Sequence, residues 1–191
     1  MKLATKLLSA AALLAASTAA SAHTGHGTGG FTSGLLHPML GLDHLLAMAA
    51  IGFWSVRQSN TMKNATPAFV IGGMILGAVL AWGGLNLPGV ETGITVSVLL
   101  AGILIATLAK LPTAVGGSLV GAFMVFHGFA HGAEMPAGAA LVAYLSGFTV
   151  ATLAITFAGR GLGALMLKAD NRVTRALGGA VAVAGGVLAA A

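Results

Sequence analysis

Six apolar stretches of about twenty residues each dominate this chain, near 35–56, 66–85, 92–109, 113–133, 137–158 and 174–191. A helix that crosses a bilayer needs about 20 such residues, within a range of roughly 17–25. The first five windows meet that length, and the sixth lies at its short end. Only 7% of residues are charged, whereas soluble domains carry roughly 25%. A domain of 191 residues in water could not cover its surface with so few charges; a bilayer removes that need. The 29 glycines suit close helix–helix packing in lipid. The sequence therefore predicts an all-α integral membrane protein with six transmembrane helices. Prolines 38, 67, 112 and 136 lie at or near window starts, where a missing backbone N–H costs little. There is no cysteine, which excludes disulfides, thiolate metal sites and cysteine nucleophiles.

Residues 1–22 read as a secretory signal. Lys2 and Lys6 form its basic start, Leu7 to Ala16 its short apolar stretch, and Ala20-Ser21-Ala22 its A-x-A cleavage site. Cleavage leaves residues 23–191 as the six-helix domain, with His23 at a periplasmic N-terminus. Six crossings then place the connections near 57–65, 110–112 and 159–173 on the inner side. Beyond residue 22 the chain has seven basic residues: Arg57, Lys63, Lys110, Arg160, Lys168, Arg172 and Arg175. All seven fall in or beside those inner segments, as the positive-inside rule requires. The net charge of +5 thus reports topology and not a nucleic-acid partner. Segment 159–175 is expected to lie as an interfacial helix on anionic headgroups, or as an ordinary loop. Each half of the chain opens with a histidine-bearing window, which would suit a 3+3 inverted repeat. A homo-oligomer is left open by the sequence.

Polar residues inside the windows carry the chemistry. In "LLHPMLGLDHLLAM" (35–48), His37 precedes Pro38 and is expected to cap the first helix at its outer mouth. His44 follows two turns later on nearly the same face, with Asp43 beside it. A lone carboxylate at the centre of a membrane helix costs about 2.5–3.5 kcal/mol on insertion scales. No Lys or Arg lies at matching depth, so a bound cation or a water-filled site is the favoured partner. In "FMVFHGFAHGAEMP" (123–136), His127, His131 and Glu134 span roughly 60° of helix circumference. Imidazole and carboxylate on one stripe suit a divalent first-row metal, and no hard oxygen cage for calcium or magnesium is present. At 1.5 Å per residue, Asp43 and His44 lie roughly 13 Å from the outer end of their window and His127 roughly 10 Å from that of its own. His131 is shallower, near His37, and Glu91 sits at the same mouth. The candidate metal residues are therefore His37, Asp43, His44, Glu91, His127, His131 and Glu134. His23 and His26 belong to a Gly-rich leader for which a flexible segment is the simpler reading, and Met39, Met48 and Met124 read as apolar filler.

The motifs "HPMLGLDH" (37–44) and "FHGFAHGAE" (126–134), with the signal and six windows, resemble the HupE/UreJ family of nickel/cobalt permeases. That resemblance covers essentially the whole chain. It implies uptake of nickel, or of cobalt, across the bacterial inner membrane for hydrogenase or urease maturation. It also implies roles for His37, Asp43, His44, His131 and Glu134, with His127 and Glu91 as contributors. The expected protein is thus a multi-pass permease and not an enzyme. It has no prosthetic group; its partners are the lipid bilayer and a transported Ni2+ or Co2+ ion. The competing readings are an intramembrane metalloenzyme, a hydrolase or hydroxylase using the same histidines, and a bis-histidine haem carrier. The first lacks an H-E-x-x-H motif and a nearby second carboxylate cluster or serine to serve as base.

Overall fold

The computed structural model describes residues 30–135 and 140–190. The expected signal segment, its cleavage site, His23, His26 and Pro136 lie outside the described residues. Among the described residues seven helices follow one another: α1 (Gly30–Leu40), α2 (Leu42–Ser55), α3 (Asn60–Trp82), α4 (Val90–Thr107), α5 (Thr113–Ala133), α6 (Leu141–Met166) and α7 (Asn171–Ala190). Helices α3 to α7 are each long and apolar enough to cross a membrane, and α1 with α2 makes a sixth span bent by 79°. The chain is a multi-pass membrane protein.

The bend corrects the expectation of one straight helix over 35–56. Gly41 is extended, at φ −84° and ψ 112°. Two residues later the Asp43 carboxylate accepts the His44 backbone N–H at 2.7 Å. A side chain that satisfies a backbone donor locally favours a new helix N-terminus over continuation of the old helix. His37 consequently does not cap a helix start. It lies within α1, which begins at Gly30, and Pro38 is buried in the last turns of that helix.

Packing decides how the bent pair runs. Gly34 in α1 meets the backbone at Tyr144 and Phe148 in α6, and Gly52 in α2 meets it at Thr156 and Arg160. Both pieces therefore advance in the same direction along α6, so they form one broken span and not a hairpin that returns to its own side. Helix α3 packs in parallel on α5, with Gly77 against Val125 and Gly128 against Met74. Helix α4 packs antiparallel on α7, with Gly102 against Ala182 and Gly185 against Leu99. These directions are those of six alternating crossings. Large apolar side chains such as Leu40, Val142, Leu165 and Val183 face outward, as a lipid-facing surface requires.

Segment 159–175 is not a separate interfacial helix, and only residues 167–170 of it form a connecting turn. α6 continues to Met166 and α7 begins at Asn171, so the basic residues there sit on the ends of two spans. Contacts tie the basic segments to one end of the bundle. Arg57 donates to the Thr174 hydroxyl and Arg160 to Asn64, each at 3.3 Å. The Ala109 carbonyl accepts both Trp54 Nε1–H at 3.0 Å and Gln58 Nε2–H at 2.9 Å. Gln58 Oε1 in turn accepts the Leu111 N–H at 3.0 Å. At the opposite end, Trp82 donates to the Gly132 carbonyl at 3.0 Å, and His37 meets Glu134.

Candidate metal centre

The bent span and α5 bring their polar residues together near the end of the bundle remote from the arginines. His44 stands near the start of α2, beyond the Gly41 break, and His127 and His131 stand one turn apart near the end of α5. The His44 ring centroid lies 4.6 Å from that of His127 and 4.2 Å from that of His131. His37, on α1, lies 4.8 Å from His131. All these ring pairs meet edge-on. His131 is thus the middle member of a chain that runs from His37 to His44 and His127. Gly128 allows this approach, because a Cβ there would collide with the Met74 carbonyl and push α3 away from α5.

Burial grades along the chain of rings. The His37 side chain retains a third of its exposure and Glu134 about half. His44, His131 and His127 are buried, His127 completely. At the mouth, His37 Nε2–H donates to Glu134 Oε2 at 2.8 Å. That bond holds the Glu134 carboxyl below its ordinary value, with partial burial opposing it. Glu134 therefore stays ionised at pH values where a free glutamate begins to protonate, and the contact loses its charge only as pH falls through the lowered value.

Deeper, His44 Nδ1–H donates to Asp43 Oδ1 at 2.7 Å. This fixes the ring and leaves Nε2 as its lone-pair nitrogen. His127 Nε2 lies 2.8 Å from the Ser97 hydroxyl on α4. His131 has Phe148 edge-on at 4.4 Å, and its backbone carbonyl accepts the Tyr144 hydroxyl at 3.3 Å. Four buried ring nitrogens have no hydrogen-bond partner among the described residues: His44 Nε2, His127 Nδ1, and both nitrogens of His131. Buried polar atoms are nearly always paired, so this concentration of unpartnered nitrogens on three touching rings marks a candidate ligand-binding position. Neutral imidazole nitrogens beside one carboxylate form a donor set that fits a borderline first-row divalent ion. Among the described residues, no three His, Asp or Glu side chains are arranged as a ready-made coordination cage. Three of these side chains could share a cation only if the rings turned from edge contact toward a common point.

Six of the seven residues picked from the sequence meet in this cluster. The seventh, Glu91, lies exposed in the first turn of α4 and has no side-chain hydrogen bond or ion pair among the described residues. Sequence reasoning missed Ser97, Tyr144 and Phe148. Ser97 and Tyr144 carry no spacing signal, since a single hydroxyl in an apolar helix usually bonds its own backbone.

The HupE / UreJ protein family matches residues 11–188. The chain is 40% identical to "Protein HupE" of Rhizobium leguminosarum bv. viciae over 184 residues, 96% of each chain. No solved structure matches. A family match across nearly the whole length, together with that identity, places this chain in the HupE/UreJ family.

Proposed function

We propose that the protein carries a divalent transition-metal ion, nickel or alternatively cobalt, inward across the bacterial inner membrane. The mature N-terminus and the histidine end face the periplasm, and the basic end faces the cytoplasm. One observation carries the reading: three buried imidazoles from two different spans touch one another, present unpartnered nitrogens, and have Asp43 beside them.

The residues then act in sequence. Glu134 and His37 form an outer station that draws a hydrated cation from the periplasm, with Glu91 at the same mouth. His131 stands between that pair and the inner station of His44, Asp43 and His127, so its ring can serve either. Exchange of hydration water for imidazole and carboxylate supplies selectivity, and the ligands must also release, which favours modest affinity. An inside-negative potential supplies about 2.3 kcal/mol per charge per 100 mV, hence roughly 4.6 kcal/mol for a divalent ion. Facilitated entry needs no other energy source, and Asp43 is the group through which a proton could be coupled.

The helix pairing also supports a 3+3 inverted repeat. Exchanging the bent span with α5, α3 with α6, and α4 with α7 turns the bent span–α6 contact into the α3–α5 contact. The same exchange returns the α4–α7 contact to itself.

The test is radionickel uptake in cells lacking other nickel importers. Asp43→Ala and His44→Ala are each expected to reduce uptake at least about tenfold at equal membrane abundance. Wild-type uptake in both variants would defeat the route.

A further inference from the structure

Ser97 lies on α4, outside both histidine motifs, yet it is the partner of the most buried histidine. Its hydroxyl has one proton. Ser97 Oγ lies 2.6 Å from the Ile94 carbonyl oxygen and 2.8 Å from His127 Nε2. Two oxygens at 2.6 Å repel unless a proton lies between them, so the hydroxyl donates to Ile94. Its remaining lone pair must then accept from His127 Nε2–H. The opposite assignment would leave the 2.6 Å Ile94 contact without a proton and an Nδ1–H donor buried with no acceptor among the described residues.

We propose that Ser97 is a positioning residue that holds His127 as its Nε2–H tautomer and so turns the Nδ1 lone pair toward the metal. The inference rests on the transport reading for its purpose and on the hydrogen-bond geometry for its content. His44 is fixed in the opposite sense, since Asp43 takes its Nδ1–H and leaves Nε2 free. The two facing rings therefore offer different nitrogens, one set by a carboxylate and the other by a neutral hydroxyl. A ligating imidazole whose other nitrogen donates to a fixed acceptor is oriented and made more basic. Ser97 performs that service from a third span, so the inner station depends on α4 as well as on α2 and α5.

The experiment uses full-length protein in detergent, labelled with 15N-histidine and free of metal. The His127 signals are assigned by their loss in His127→Gln. The expected wild-type spectrum shows protonated Nε2 and bare Nδ1 at His127. Ser97→Ala is expected to lose that single tautomer and to bind nickel about ten- to a hundredfold more weakly. Ser97→Thr, which keeps the hydroxyl, is expected to restore both. A wild-type His127 protonated on Nδ1, or a Ser97→Ala protein with the wild-type tautomer and affinity, would overturn the proposal. Wild-type protein that shows the Nε2–H tautomer but binds no nickel would instead overturn the transport reading and leave the hydrogen-bond assignment standing.

Discussion

Single residues decide where this chain departs from regular helix. Leu108 is the one non-glycine residue among those described with a left-handed backbone, at φ 57°. It terminates α4: its N–H bonds the Ile105 carbonyl at 3.1 Å and that of Ala109 bonds Leu104 at 3.0 Å. Glycine is the usual residue at such a cap because a Cβ is strained there by about 1–2 kcal/mol. Leu108→Gly is therefore expected to stabilise the protein by about 1 kcal/mol, raising its melting temperature in detergent by about 2–4 °C. A lowered melting temperature would show that the leucine side chain contributes more by packing than its backbone loses. The candidate ligands were legible in the sequence at this same scale, because ionisable residues inside apolar windows stand out. Ser97 was not. Nothing in "TVSVLL" (95–100) distinguishes a serine bonded only to its own helix from one that also meets a histidine thirty residues away.

Helices were legible in existence and less so in shape. Window 113–133 coincides with α5, whereas α3 starts well before window 66–85 and α6 runs to Met166, well past the end of window 137–158. The failure came at Gly41, where continuous apolar character hid a break. Composition reports burial in lipid, and a 79° bend between two apolar pieces leaves composition unchanged. The available clue was Gly-Leu-Asp: an acidic residue in a first turn marks a helix start as readily as a membrane-embedded ligand. Between helices, small residues set the spacing. On α5, a Cβ at Gly128 would strike the Met74 backbone, whereas a Cβ at Gly121 would meet open space. Gly128→Ala is expected to destabilise by about 1–3 kcal/mol and to lower metal uptake by displacing His127 and His131. Gly121→Ala on the same helix is expected to be neutral in both measurements. Equal effects at the two positions would remove close α3–α5 approach as the reason for the glycines.

Across the whole molecule, charge and histidine separate to opposite ends. The seven basic residues beyond residue 22 gather where Arg57 reaches α7 and Arg160 reaches α3. His37, Glu134 and Trp82 gather at the other end. A reporter active only in the periplasm, inserted in the short turn between α6 and α7 (167–170), is expected to be silent. The same reporter active there would invert the proposed direction of transport. The sequence conveyed this polarity because it is written in a few charges, while the pairing of spans depended on glycine faces whose partners only the fold displays.

At the basic end, one carbonyl takes the hydrogens of both Trp54 and Gln58. The first span is thereby latched to the turn joining α4 and α5, across the floor beneath the histidines. On the proposed route an ion leaving His127 would meet that latch before it cleared the basic end, which makes these neutral groups the proposed inner barrier. Gln58→Leu keeps the size of the side chain and removes its bonds to Ala109 and Leu111. In vesicles under an imposed nickel gradient, this variant is expected to leak faster than wild type while remaining folded. A variant no faster than wild type would place the barrier elsewhere in the bundle.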